Sequence, residues 1–182
     1  MRKIVVTEFV TLNGIMDEPA WTFPYWNDEI ASFKAEESLA CDALLLGRVT
    51  YDGFARAWPE SKDEGADQIN GLPKYVATTT LEKADWNNTT LIKENVLEEI
   101  VNLKQQPGQN ILVYGSATLV DFLLKANLVD EYRLLVYPVI KGSGKRLFKD
   151  GADMTLKLVN SKTFSNGVLA LVYRTAEKEG VK

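Results

Sequence analysis

The chain opens on Ile4-Val5-Val6-Thr7-Glu8-Phe9-Val10, an apolar, β-branched run that predicts a mostly buried strand. A loop rich in Trp, Pro and Asp follows over residues 13–27. Asp28 and Glu29 then open a helix whose buried stripe is expected at Ile30, Phe33 and Leu39, and acids near its start suit the helix dipole. Ala43-Leu44-Leu45-Leu46 reads as a central strand ending in Gly47, and residues 47–57 as a short helix closed off before Pro59. The polar stretch 60–71 predicts a surface loop.

Further strands are expected at Lys74-Tyr75-Val76-Ala77-Thr78, Thr90-Leu91-Ile92 and Ile111-Leu112-Val113-Tyr114. Between the last two lies a helix with Val96, Leu97, Ile100 and Val101 on one face, stopped by Pro107-Gly108. Gly115-Ser116 leads into another helix, with Leu119, Val120, Leu123 and Leu124 inward. Residues 131–139 form a long strand, and 155–161 pair with 168–174 across a Ser165-Asn166-Gly167 turn. The alternation predicts an α/β domain with a mainly parallel sheet, helices on both faces and an antiparallel C-terminal edge. No repeat or linker divides residues 1–182, so a single domain is expected.

Composition narrows the chemistry. The 182 residues include no histidine and one cysteine. Ser-His-Asp and Cys-His nucleophiles, imidazole-ligated zinc and nucleobase deamination are therefore excluded, and no metal is expected. Proton transfer falls to a carboxylate, Lys, Tyr, Cys41 or water. A net charge of −4 argues against nucleic acid as a partner. No apolar stretch approaches the roughly 20 residues of a membrane span. The N-terminus reads as a strand rather than a signal peptide, and a lone cysteine fits a reducing cytoplasm.

Three strand ends carry small or hydroxyl residues where ligands of open α/β sheets collect. Gly47-Arg48-Val49-Thr50 opens a helix whose free amides, with the Arg48 guanidinium, suit a phosphate; the alternative is a plain helix start with a surface arginine. Gly115-Ser116-Ala117-Thr118 repeats the arrangement, with Ser116 also suited to an N-cap. Thr78-Thr79-Thr80 offers three hydroxyls for phosphate oxygens or for turn hydrogen bonds. Neither a Walker A motif nor G-x-G-x-x-G is present. Trp21, Phe23, Tyr25 and Trp26 could wall a pocket for a flat heterocycle gripped by Asp28 or Glu29, or could simply cover the core. Residues 138–148, with two glycines and three basic residues, suit an anion nest or a bulged turn.

Together these segments resemble the dihydrofolate reductase superfamily, and most of all the reductase domain of bacterial riboflavin biosynthesis. The matches are TLNGIMD at 11–17, LLLGRVTYDGF at 44–54, YVATTT at 75–80, ILVYGSATLVDFLL at 111–124 and LVDEYRLLVYPVIKGSGKRLF at 128–148. The resemblance implies a sheet of about eight strands and NADPH as hydride donor, a chemistry that needs no histidine. It gives Gly47, Arg48 and Thr50 to the phosphate-binding turn, Thr78 and Thr79 to the adenosine-side phosphate, and Gly115, Ser116, Ala117 and Thr118 to the pyrophosphate and nicotinamide. Asn13 and Tyr114 stand where family members often carry acids, and Gly115-Ser116 where they carry Gly-Gly. Asp28 or Glu29, or water, is left to supply the proton.

The expectation is an NADPH-dependent reductase of the riboflavin-biosynthesis (5-amino-6-(5-phosphoribosylamino)uracil reductase) or dihydrofolate reductase type. It would pass hydride to a C=N or C=O of a small heterocyclic or sugar-amine substrate, in a cytoplasmic homodimer by family analogy. The alternative is a nucleotide-binding protein of the same fold without turnover.

Overall fold

The computed structural model describes residues 1–176; the remainder of the domain expected over 1–182 lies outside the described residues. Along the chain run β1 (Ile4–Thr11), a 3-10 helix (Pro19–Tyr25), α1 (Asp28–Leu39), β2 (Cys41–Gly47), α2 (Arg48–Ala57), α3 (Ala66–Gly71) and β3 (Lys74–Ala77). Then follow β4 (Thr89–Ile92), α4 (Val96–Gln105), β5 (Asn110–Tyr114), α5 (Ala117–Lys125), β6 (Glu131–Tyr137), β7 (Leu156–Thr163) and β8 (Leu169–Thr175).

All eight strands join one sheet in the order β4-β3-β2-β5-β1-β6-β8-β7. The first six in that order are mutually parallel, and β8 runs against both of its neighbours. Alternate β1 residues feed two faces. Val6 and Val10 join Ile100 of α4 and Leu123 of α5, whereas Val5 joins Tyr51 of α2 and Ile69 of α3. A third cluster sets Ile30 of α1 against Leu135, Tyr137 and Phe164. The Leu44-Leu45-Leu46 run is fully buried, as expected of a strand covered on both sides.

The pattern misled in a few places. Residues 60–71 are not all loop, because Ala66 and Ile69, three apart, bury one face of the short α3. Leu39, expected inside, is exposed at the last turn of α1. In α4 the inward residues are Ile100 and Leu103, and Leu97 faces out. Strand β6 stops at Tyr137 because Pro138 follows it and has no amide for the ladder. Of the aromatic loop, Trp21 and Tyr25 pack edge-on against Tyr137 at 5.3 and 5.6 Å between ring centroids. That loop covers core.

Lys74 is the unexpected core residue. Its ammonium is fully buried, donates to the carbonyls of Asn70, Leu72 and Asn87, and lies 4.2 Å from the centre of the Trp86 ring. Burial pulls its pKa down to about 8.

Candidate active site

Strands β1 and β5 pair only from Ile4↔Ile111 to Thr7↔Tyr114. There β5 ends, while β1 continues to Thr11 against β6. From Glu8 onward β1 therefore has an open flank at the carboxyl end of the sheet, where the strand order reverses. A cavity of about 360 Å³ occupies this place, between α2, α5 and the loop around Met16.

Glu8 lines that cavity although it is only 7% exposed, and its Oε1 has no hydrogen-bond partner among the described residues. Burial pushes its carboxyl up to about 8, against opposing pulls from the Lys34 charge and the Gly115 amide. The acid thus keeps its proton near neutral pH. The signal in the sequence was a single charge inside IVVTEFVT, read there only as part of a strand.

The neighbouring Thr7 serves a different cluster. Lys34, from α1, donates to Thr7 Oγ1 at 2.7 Å and to Glu37 Oε2 at 2.5 Å, and Thr7 donates to the same Glu37 oxygen. The Lys34 ammonium also lies 4.7 Å from the Tyr114 ring centre and 5.3 Å from that of Phe9. Burial works against its charge, but Glu37 and its other neighbours outweigh that and raise its pKa. Tyr114 thus gives this ammonium an aromatic face.

The two glycine turns interlock. A Cβ on Gly47 would stand 2.6 Å from the Ser116 Cβ, and one on Gly115 would stand 2.6 Å from Thr50 Oγ1. Gly115 and Ser116 both have positive φ, and Ser116 caps α5 by accepting from the Leu119 amide. At α2, by contrast, Gly47 supplies no side-chain cap, so the first amides stay free beside Val49 and Thr50 on the cavity wall. Gly53, also on that wall, has open space where a Cβ would sit.

Arg48 reaches toward the end of β3, donating to Thr80 Oγ1 at 3.0 Å and pairing with Asp52. Thr80, one of the three hydroxyls that the sequence offers to phosphate oxygens or turn hydrogen bonds, accepts here from Arg48. Thr78 accepts from the amides of Thr80 and Leu81 and so shapes this turn, and Thr79 is exposed on it. Ala117 and Thr118 line the cavity with Ser116.

Asp28 and Glu29 do not reach the cavity. Asp28 is exposed at the start of α1, and Glu29 accepts from the Ser165 amide and hydroxyl, which lower its pKa. Those bonds tie α1 to the β7–β8 turn. Asn13 likewise ties loops together, donating to the Lys141 carbonyl. Of residues 138–148, Lys145 reaches the cavity lining, and Arg146 bridges to Ile15.

The family model described as RibD C-terminal domain matches residues 2–170. The chain belongs to the RibD C-terminal domain family. It is 34% identical over 182 residues to the uncharacterized protein YyaP of Bacillus subtilis, covering 94% of each chain. To YwjB of the same organism it is 29% identical over 175 residues, covering 92% of this chain and 95% of that one. Among solved structures it is similar to a putative riboflavin biosynthesis protein from Shewanella, with TM-score 0.76, 17% identity and coverage of 96% and 99%. A deaminase/5-amino-6-(5-phosphoribosylamino)uracil reductase from Thermotoga maritima gives 0.68 at 17% identity, with 96% of this chain and 57% of that one covered. Dihydrofolate reductase from Enterococcus faecalis, complexed with NADP(H), gives 0.65 at 12% identity and coverage of 96% and 97%. The fold is that of the dihydrofolate reductase-like superfamily.

In this chain the two glycine turns and the buried acid of β1 meet at one cavity. A neutral carboxyl beside an apolar cavity can donate a proton, and free amides with Arg48 can hold an anion.

Proposed function

We propose that this RibD-type domain is an NADPH-dependent reductase that passes hydride to a C=N or C=O carbon of a small heterocyclic or sugar-amine substrate. The observation that carries the reading is Glu8, a buried carboxyl held protonated on a cavity walled by both glycine turns.

The residues fit the cofactor. The free amides of α2 and Arg48 suit phosphate, the positive-φ turn at Gly115-Ser116 brings backbone against the cavity, and Gly53 leaves the wall open. Gly47, Arg48, Thr50, Thr78, Thr79, Gly115, Ser116, Ala117 and Thr118 would hold NADPH, with Thr80 orienting Arg48. When bound, the nicotinamide supplies the hydride. Glu8 holds the proton that completes the reduction, in place of Asp28 or Glu29. The apolar residues Phe9, Met16 and Phe54 exclude water from the carboxyl.

NADPH titration followed through its fluorescence, with Arg48→Ala in parallel, tests the cofactor site. Binding weakened about tenfold or more by that change is expected, since a charge-assisted phosphate contact contributes about 1.5–3 kcal/mol. No binding of NADPH or NADH at millimolar concentration would sink the reading. Binding without oxidation across a panel of heterocyclic substrates would favour a nucleotide-binding protein without turnover.

A further inference from the structure

We infer that this cavity takes an unphosphorylated substrate, a small ring whose polar edge meets Glu8, and rejects sugar phosphates. The inference rests on the reductase reading and names the substrate class of that same site.

Glu8 lines the cavity, and its buried Oε1 has no hydrogen-bond partner among the described residues. An unsatisfied buried oxygen of this kind costs about 1–3 kcal/mol, so a ligand group that pairs with it is favoured. The walls around it at Phe9, Met16, Val49 and Phe54 are apolar. This surface suits a flat ring with one polar edge.

Charge decides the rest. Asp17 and Glu18 line the same cavity. Lys34 is committed to Glu37 and Thr7, which leaves exposed Lys145 as the one lining lysine outside any ion pair among the described residues. A phosphomonoester brings about −1.5 to −2 charges at pH 7 and would meet two carboxylates there. The groups that suit phosphate, Arg48 and the α2 amides, are given to the cofactor.

The test uses protein saturated with NADP⁺ and calorimetric titration of a matched pair. The pair is 5-amino-6-(5-phosphoribosylamino)uracil and its dephosphorylated form. The dephosphorylated form is expected to bind about tenfold tighter or more. Glu8→Leu should lose about tenfold for that form, Glu8→Gln, which keeps a donor and an acceptor, should bind it like the parent, and Glu18→Lys should narrow the gap within the pair. Equal or tighter binding of the phosphorylated form, or no binding of either, overturns the inference. Failure of the cofactor reading shows separately, as absent NADP⁺ binding; the same pair is then titrated into the unloaded protein under the same criteria.

Discussion

Gly115, at φ 60°, faces Thr50 so closely that a Cβ there would stand 2.6 Å from the threonine Oγ1. The end of β5 and the first turn of α2 are thus fitted to each other through a missing side chain. Gly115→Ala should destabilise the fold by about 1–3 kcal/mol, from left-handed backbone strain together with the clash. In a double-mutant cycle with Thr50→Ala the clash component should disappear and the strain remain. Urea denaturation of the four proteins measures both.

Glu8 sets the acid–base behaviour. Turnover should fall as pH rises through about 8, where the carboxyl loses its proton. Glu8→Gln should cut turnover roughly 10²–10⁴-fold while leaving NADPH affinity unchanged. Stability carries the opposite sign of dependence from a paired acid. Between the ordinary value of 4.5 and about 8 the folded chain holds a proton that the unfolded chain has released, so stability drops across that window as pH rises. Denaturation midpoints against pH should show a flatter line for Glu8→Gln.

Gly53→Ala should separate stability from binding. The site has room for a Cβ, and removing a helical glycine should stabilise α2 by about 0.5–1 kcal/mol. The added methyl projects from the cavity wall, so NADPH or substrate affinity should drop even as thermal stability rises.

Lys34→Met should be among the costliest single changes. It strands Glu37, which is 1% exposed and already has one unpartnered oxygen. Breaking such a buried pair costs about 3–5 kcal/mol. Adding Glu37→Gln should restore part of the loss in chemical denaturation.

Lys74 predicts an alkaline effect. Between about 8 and 10.5 the unfolded chain keeps a proton that the folded lysine has released, so this residue makes stability rise with pH there. Comparing the wild type with Lys74→Met over that range isolates the slope.

Much of the frame is legible locally. The β-branched run of β1, the Leu44-Leu45-Leu46 run and the two glycine-hydroxyl helix starts each depend on neighbours a few residues away. The acid is different. Asp28 and Glu29 look like a site because carboxylates stand beside aromatics, yet Ser165, more than a hundred residues on, claims Glu29. Glu8 becomes a cavity residue only because β5 stops at Tyr114 while β1 goes on, a fact of register between strands distant in sequence. Lys74 shows the same limit, since its three carbonyl partners are assembled by the turns around it.

That difference in strand length also fixes when the site is made. Glu8 stands in ladder register with Leu134 of β6, so its position is set once the sheet forms. The acid is part of the scaffold, with no loop to carry it inward. A ligand must orient itself to the acid, and selectivity becomes a matter of which molecules can adopt that one pose.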